Sequence, residues 1–246
     1  MDVVVAPAKL TISLRVTGAR ADGYHLIDAE MVTVDLEDTL SFDVDVDGAG
    51  DGGGGLEIRG PAAAGVPADG TNLVRRALDL AERRAHVTLD KRIPPGAGLG
   101  GGSADAAAVL RWAGIDDSTV AAELGADVPF CLRGGRAKVT GIGERLERLA
   151  FEPRTFTLLI PPFGCETVAV YRAWDDLGGP TGAGNNDLEP AALVVEPRLA
   201  EWRGRLGDAT GQQPHLAGSG STWFVEGAYP GTDRIVVRTT ETATVG

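Results

Sequence analysis

A glycine-rich segment near the middle of the chain constrains the fold more than any other feature of the sequence. It covers residues 94–103, reads PPGAGLGGGS and contains five glycines. Residues 87–91 before it are typical of a short strand. Residues 103–112 after it are alanine-rich and predict a helix that the Ser103 side chain can cap. The fold must therefore join a strand to a helix through a tight loop.

Such a loop can bind an anion. Glycines let backbone N–H groups point inward without obstruction by a Cβ atom, and the N-terminus of the following helix carries a partial positive charge. The segment is not a Walker A loop, because no Gly-Lys-Ser/Thr follows, and it lacks the spacing and the downstream acid of a Rossmann fingerprint. We predict that it wraps a polyphosphate, and a linker or simple tight turn is the alternative.

Charge and cysteine content exclude several classes of protein. The 246 residues include 23 Lys and Arg against 35 Asp and Glu, a net charge of −12. That balance opposes binding to nucleic acids and to anionic membranes. The two cysteines suggest neither a disulfide framework nor a structural zinc site. With no signal peptide or membrane-spanning stretch evident, we expect a cytoplasmic protein without nucleic-acid or membrane partners.

The acidic residues are concentrated in one segment. Residues 28–57 contain ten acids and no Lys or Arg. Alternation over residues 40–46 predicts a half-buried strand with aspartates on its solvated face, and residues 48–55 predict a flexible glycine turn. A calcium-binding loop is the alternative, but Gly54 stands where its bidentate Glu should be.

The order of strand and helix signals predicts an α+β protein with two lobes, residues 1–150 and 151–246. In the first lobe, residues 10–16 predict a strand and residues 72–85 an amphipathic helix. In the second lobe, we predict strands at residues 156–160, 223–226 and 235–237 and helices at residues 167–177 and 199–206.

Two charged residues have unusual local settings. Lys9 lies at the start of an apolar strand, and Asp127 lies in a turn between small and apolar residues. Taken singly, Lys9 could be a solvated edge residue and Asp127 could cap the backbone of its own turn. Together they would make a base held ionised by an ammonium group, close to a γ-phosphate.

Six short motifs, in this order along the chain, resemble those of the GHMP kinase superfamily. They are Ala6-Pro7-Ala8-Lys9, Gly23-Tyr24-His25, Gly100-Gly101-Gly102-Ser103-Ala104-Asp105-Ala106-Ala107, Gly125-Ala126-Asp127-Val128-Pro129, Asn186-Asp187-Leu188-Glu189-Pro190 and Gly218-Ser219-Gly220-Ser221. The second and fourth motifs resemble the branch that acts on a cytidine-diphosphate-linked methylerythritol.

The resemblance implies a fold and a reaction. The fold would be the two-lobed α+β GHMP kinase fold, with an N-terminal ribosomal-protein-S5-like lobe and a C-terminal ferredoxin-like lobe. The reaction would be ATP-dependent phosphorylation of the C2 hydroxyl of that small-molecule substrate, in the non-mevalonate isoprenoid pathway, with Mg²⁺. Asp127 is implied to take or orient the hydroxyl proton, and Lys9 to hold Asp127 and the developing charge.

The resemblance also implies binding residues. Those for ATP are Pro94, Pro95, Gly96, Ala97, Gly98, Leu99, Gly100, Gly101, Gly102, Ser103, Ala104, Gly218 and Ser219, with the Ser103 hydroxyl near Mg²⁺. Those for the substrate are Thr11, Tyr24, His25 and Tyr171, the last with its ring against the cytosine base.

Three departures from the family pattern accompany the matches. Thr11 stands where the family usually has Asn, and Ala104 stands where a second serine is common. Only residues 228–233 separate Gly227 from the last predicted strand, which is too short for the usual crossover helix. We therefore predict a hairpin there and a shortened C-terminal lobe.

The sequence leaves alternatives open. One is another GHMP kinase that acts on mevalonate, homoserine or a sugar. The other is a nucleotide-binding protein with weak catalysis, which the change at Thr11 and the shortened lobe would favour. We expect a monomer or a homodimer.

Overall fold

Two β-sheets form the framework of the protein, which we describe from a computed structural model over residues 1–44, 54–179 and 184–241. The strands within these ranges are β1 (Asp2–Ala19), β2 (His25–Asp43), β3 (Leu56–Arg59), β4 (His86–Asp90), β5 (Arg136–Gly141), β6 (Arg145–Arg148), β7 (Thr155–Leu159), β8 (His215–Leu216), β9 (Trp223–Glu226) and β10 (Ile235–Arg238). The helices are α1 (Leu73–Leu80), α2 (Gly101–Trp112), α3 (Ser118–Leu124), α4 (Val128–Arg133), α5 (Thr167–Asp176), α6 (Glu189–Val195) and α7 (Leu199–Thr210).

The first sheet is built on a long antiparallel hairpin. β1 and β2 are 18 and 19 residues long and pair from Asp2 opposite Phe42 to Ala19 opposite His25. On its other edge, β2 pairs with β5 and β4 along different halves of its length, and β6 and β3 extend the sheet on either side. β2 is therefore the central strand from which the other strands take their register.

The hairpin is bent by three register shifts, the first of which lies between Pro7 and Lys9. Proline has no N–H to donate to a ladder, so a bulge tolerates it, and a bulge also re-aims the neighbouring side chains. Burial is continuous from residue 6 to residue 11, because both faces of β1 are covered at that point. The alternative that Lys9 is a solvated edge residue is therefore wrong.

Helices α1 to α4 cover one face of the first sheet through an apolar cluster. Its large members include Val4, Leu40, Phe42, Val74, Leu78, Val87, Leu89, Val109, Leu110, Leu124 and Val128. Helix α2 is the centre of this layer, because its residues 104–110 are all buried. A helix buried on all sides needs small side chains for close approach, which explains its run of alanines.

The second sheet has the strand order β10-β7-β9-β8 and packs against the hairpin. Its alternating side chains enter two clusters. Phe156, Leu158 and Phe224 meet Leu10 and Val32 of the hairpin on one side. On the other side, Leu159, Trp223 and Val225 meet helices α5, α6 and α7 and the far end of the hairpin. Both clusters therefore join the two sheets.

The predicted hairpin between the last two strands is wrong. β9 and β10 both pair antiparallel with β7, on its opposite edges, so they run parallel to each other. The connection after β9 is bonded to β7, where Tyr229 N donates to Thr157 Oγ1 at 2.9 Å and Thr157 Oγ1 donates to Gly227 O at 2.8 Å. Each strand has four residues, so the connection must run back only roughly 13 Å along the sheet. An extended segment covers this distance without a helix.

Helix boundaries supply further corrections. The helix after the glycine-rich loop begins at Gly101, two residues before the predicted start. Gly100 is its N-cap, with a left-handed φ of 68°, and Ala104 N donates to Gly100 O at 2.8 Å. Ser103 therefore lies inside the first turn and does not cap the helix.

The short helices α3, α4 and α6 were missed, and α4 begins directly after Asp127, where a turn was predicted. These helices have six or seven residues, too few for helical periodicity to show. A proline in the first turn of α4 and α6 was the available signal. The other predicted helices and strands of the second lobe are confirmed within a few residues.

The acidic glycine turn lies mostly outside the described residues, and so does the alternative calcium loop. None of the helices in the described part of the chain is long and apolar enough to cross a membrane. Both cysteines are free and buried.

We expect Leu158→Ala to lower the free energy of unfolding by about 2–5 kcal/mol, because Leu158 is fully buried between the two sheets. Urea unfolding, followed by tryptophan fluorescence and circular dichroism, measures the change. Leu177→Ala, at a side chain that is about half exposed, is the matched control and should have a much smaller effect. Equal losses in the two variants would contradict the shared core.

Candidate active site

Lys9 and Asp127, which are far apart in the sequence, are neighbours in the structure. The Lys9 ammonium lies 3.3 Å from Asp127 Oδ2. Lys9 is only 6% exposed, whereas a third of the Asp127 side chain is exposed. Asp127 is the N-cap residue of α4 but makes no side-chain cap bond, so the alternative of a backbone-capping aspartate is not observed. A buried cation thus stands behind an accessible carboxylate.

Thr11 completes the surroundings of the Lys9 ammonium. Lys9 Nζ donates to Thr11 Oγ1 at 3.1 Å, and Thr11 is buried. A Cβ atom built on Gly218 would lie 3.6 Å from Thr11 Oγ1 and 3.7 Å from Lys9 Nζ. β1, the start of α4 and the Gly218 segment therefore converge on one ammonium group.

The glycine-rich loop packs backbone to backbone against the segment at residues 217–222. Gly98 has a φ of 78°, and a Cβ there would lie 2.6 Å from the carbonyl oxygens of Ala217 and Gly220. Thr222 N donates to Ala97 O at 3.1 Å. Only glycine at position 98 allows this approach, so two of the motifs form a single surface.

The same loop also packs against β1. Lys9 N donates to Leu99 O at 3.0 Å, and a Cβ on Gly100 would lie 2.7 Å from Lys9 Cγ. The Ala97 and Leu99 side chains enter the core between the sheets, and the Ala104 side chain enters the core under α2. Any ligand contacts of these three residues would therefore come from the backbone.

The loop ends at the N-terminus of α2, where backbone N–H groups lack intrahelical partners. Gly101 and Ser103 are half-buried and Gly102 is exposed, so this turn is accessible to a ligand. Twelve residues of helix follow it, and their aligned dipoles favour an anion at this end. The start of α2 is therefore open to an anion, and its role as a cradle stays a prediction.

An aromatic cluster forms where α5 meets the start of β2. The rings of His25 and Tyr171 stack at 4.8 Å with an angle of 23°, and Trp174 meets His25 edge-on at 5.6 Å. Burial raises the pKa of Tyr171 well above its usual range, and the negative charge of Asp127 raises it further. Tyr171 is thus within electrostatic reach of Asp127.

The predicted substrate residues are only partly brought together. His25 and Tyr171 are in contact, whereas Tyr24 is 59% exposed and points away from the protein interior. A further residue at this cluster, Asp175, was not predicted, and its Oδ1 lies 2.8 Å from His25 Nε2. No local pattern marked Asp175, because its partner is 150 residues away.

Asn186, the first residue of the fifth sequence motif, is a second functional candidate for which no role was predicted. Its Nδ2 donates to Leu216 O at 2.9 Å and to Gly218 O at 2.6 Å. The next residue, Asp187, accepts from the Arg15 guanidinium at 2.6 Å and from Val16 N at 3.0 Å. Asn186 and Asp187 therefore tie the Gly218 segment to β1. The Ser219 hydroxyl lies 2.8 Å from that of Thr167, at the start of α5.

Comparisons with known proteins agree with this architecture. The profile of the family "GHMP kinases N terminal domain" matches residues 72–135. A 4-diphosphocytidyl-2-C-methyl-D-erythritol kinase from Paracoccus denitrificans (strain Pd 1222) is 39% identical, over 89% of this chain and 84% of the relative. A crystal structure of 4-(cytidine 5'-diphospho)-2C-methyl-D-erythritol kinase is 34% identical with a TM-score of 0.69, over 90% of this chain and 88% of that one.

A homoserine kinase from Cytophaga hutchinsonii ATCC 33406 has a TM-score of 0.62 at 16% identity, over 99% of this chain and 96% of that one, so the likeness concerns the fold alone. Together with the glycine-rich loop and the Lys9–Asp127 pair, these matches define a GHMP kinase, a small-molecule kinase of α+β fold. Its sequence relatives place it more narrowly. The chain belongs to the 4-diphosphocytidyl-2-C-methyl-D-erythritol kinase family, which confirms the resemblance seen in the sequence.

We expect Gly98→Ala to lower the free energy of unfolding by about 2–5 kcal/mol, because its Cβ would collide with two carbonyl oxygens at a left-handed φ. Urea unfolding of the protein without nucleotide is the measurement. Gly102→Ala is the matched control, since its Cβ would meet nothing closer than 3.6 Å, within a helix that favours alanine. If both variants were equally stable, the close packing of the loop would be contradicted.

Proposed function

We propose that this protein transfers the γ-phosphate of ATP to the C2 hydroxyl of 4-diphosphocytidyl-2-C-methyl-D-erythritol, a step of the non-mevalonate isoprenoid pathway. The observation that carries the proposal is the Lys9–Asp127 pair, 3.3 Å apart beside the glycine-rich loop. The names of the sequence relatives support this substrate.

Asp127 is proposed to accept or orient the proton of the attacking hydroxyl. Its carboxylate is accessible, as a general base must be, and is backed by a buried ammonium. Lys9 offsets the negative charge of the carboxylate and of the phosphoryl group in transfer. Phosphoryl transfer needs positioning and charge neutralisation more than covalent chemistry from the protein, so these two roles suit the reaction.

The chain's own residues fit ATP and Mg²⁺. ATP would supply the phosphoryl group, and Mg²⁺ would neutralise charge on its phosphates. The N–H groups at the start of α2 are proposed to bind the phosphates together with Gly218 and Ser219. The described residues hold no cluster of three or more His, Cys, Asp or Glu for a metal. This fits Mg²⁺ bound through the nucleotide, which needs few protein ligands, and the Ser103 hydroxyl is proposed as one.

The cluster of His25 and Tyr171 is proposed to bind the cytosine base. Aromatic side chains stack on bases, and the Asp127 charge acts on the Tyr171 ring of this stack. The contact of His25 Nε2 with Asp175 Oδ1 at 2.8 Å orients the imidazole, and the other ring nitrogen, Nδ1, is proposed to contact the polar edge of cytosine. Thr11 is proposed to act through Lys9, and Tyr24 to face the cytosine side of the substrate.

The wider setting is also part of the proposal. We propose two lobes that divide near residue 150, a cytoplasmic location, and a monomer or homodimer. The two sheets lie on either side of that division, in residues 2–148 and 155–238, which supports the boundary.

The first experiment compares acceptors. We expect ATP-dependent ADP release with 4-diphosphocytidyl-2-C-methyl-D-erythritol and none above background with mevalonate, homoserine or galactose, because only the first offers a cytosine base to the aromatic cluster. A coupled ADP-release assay measures turnover, and a reaction without acceptor gives the background. Turnover with one of the other alcohols alone would overturn the substrate, and nucleotide binding without transfer to any acceptor would overturn the catalytic role.

We expect Asp127→Asn to reduce kcat by about 10²–10⁴-fold while ATP affinity stays within a few fold, because the amide cannot accept the hydroxyl proton but leaves the glycine-rich loop intact. The coupled assay and calorimetric titration with an ATP analogue measure the two quantities. Asp116→Asn, at a side chain that is 93% exposed, is the control and should change neither. A variant at position 127 with more than a tenth of the wild-type kcat would rule out the proposed base.

A further inference from the structure

Three charged side chains are buried together beneath the glycine-rich loop. They are Asp38 of β2, Lys91 just after β4 and Asp105 of α2, and each is at most 3% exposed. The Lys91 ammonium forms ion pairs with Asp38 Oδ2 and, at 2.7 Å, with Asp105 Oδ2. We call these three residues the loop clamp. None of them takes part in the chemistry proposed above.

Asp38 holds the beginning of the loop through the backbone. Its second oxygen, Oδ1, accepts hydrogen bonds from Arg92 N at 2.5 Å and from Ile93 N at 2.8 Å. These two residues immediately precede the glycine-rich segment. One carboxylate therefore binds the ammonium with one oxygen and the entry of the loop with the other.

Lys91 holds the end of the loop. A Cβ on Gly101 would lie 2.8 Å from Lys91 Nζ, so the ammonium touches the first residue of α2. Its ion pair with Asp105 also joins it to the second turn of that helix. The loop clamp thus connects β2, the entry of the loop and the helix N-terminus through a single cation.

The arrangement is costly if its only purpose is stability. Burying charges costs several kcal/mol per ion, and apolar residues of similar volume often stabilise a core as well or better. Burial, opposed by the Lys91 charge and supported by the Asp38 charge, raises the pKa of Asp105 to about 7. Asp105 Oδ1 also has no hydrogen-bond partner among the described residues. The contacts of the loop clamp instead fix three backbone segments in one relative geometry, because ion pairs and hydrogen bonds depend on orientation.

We propose that Asp38 and Lys91 are positioning residues that hold the glycine-rich loop and the N-terminus of α2 in the geometry that binds the ATP phosphates. The proposal rests on the proposed function, in which this loop binds ATP. Asp105 has the lesser part, because its carboxylate contacts the ammonium but not the backbone of the loop. Asp38 should therefore matter more than Asp105 for the geometry of the loop, and this difference can be tested.

The test compares Asp38→Asn with Asp105→Asn, the same chemical change on either side of Lys91. The Asp38 amide can no longer accept from two backbone N–H groups while also accepting from the ammonium. We expect Asp38→Asn to raise the KM for ATP at least tenfold and to leave the KM for the cytidine substrate within threefold. Asp105→Asn, which keeps the Lys91–Asp38 pair, should leave both KM values within threefold.

A merely structural role gives a different pattern. The proposal would be overturned if Asp38→Asn lowered kcat and raised both KM values to the same extent. It would also be overturned if Asp105→Asn raised the KM for ATP as much as Asp38→Asn does. Inactive wild-type protein would instead reject the proposed function, so the two failures are distinguishable.

A second measurement covers the case in which Asp38→Asn does not fold. Amide hydrogen exchange of the wild-type protein at residues 92 and 93 should slow at least tenfold on addition of an ATP analogue, because phosphate binding and the loop clamp favour the same loop geometry. The cytidine substrate alone, which binds elsewhere, should not slow it. An exchange rate at these amides that does not change with the ATP analogue would overturn the proposed coupling between the loop clamp and phosphate binding.

Discussion

The pairing of β1 with β2 is the constraint on which the rest of the structure depends. This hairpin carries Lys9 and Thr11 on one strand and His25 and Asp38 on the other. Its side chains also enter both clusters that join the two sheets. Because side chains alternate along a strand, a shift of one residue would turn Lys9 away from Asp127 and break the apolar contacts at the same time. Stability and site geometry are thus specified by the same register.

The glycines of the site have two physical roles. A polyphosphate-binding loop needs backbone N–H groups that are not shielded by side chains, which explains glycines at the start of α2. Gly98 has the other role, since it lets the loop lie against the carbonyl groups of Ala217 and Gly220. The site is therefore built from two loops in backbone contact, and Asn186 ties the second of them to its neighbours by two hydrogen bonds.

Features that depend on neighbouring residues in the sequence could be predicted, whereas features that depend on contacts between distant segments could not. The α+β class, the loop and the candidate pair Lys9 and Asp127 follow from local patterns and motifs. Ser103 was misjudged because a glycine at position 100 ends the loop two residues earlier. The hairpin of the last two strands was predicted from the short connection between them. That length does not determine which strand β10 pairs with, and β10 pairs with β7.

The loop clamp shows why long-range charge pairs escape prediction. Asp38 belongs to the acidic segment and is fully buried, on the same face of β2 as Leu40 and Phe42. Its partners come from two other segments, 53 and 67 positions further along the chain. Alternation along β2 places position 38 on the buried face, but the local sequence does not show which cation pairs with a carboxylate there. Only the packing of α2 on the hairpin brings the three charges together.

The identity of the cations does carry information. The chain has only three lysines against twenty arginines, and two of the three, Lys9 and Lys91, are buried at the site. Each contacts two oxygen-bearing side chains from different segments. A compact ammonium with three rotatable donors fits between such partners, whereas the planar guanidinium of arginine requires a wider, forked arrangement. In a chain that otherwise prefers arginine, a buried lysine therefore marks a position where the geometry of the site excludes arginine.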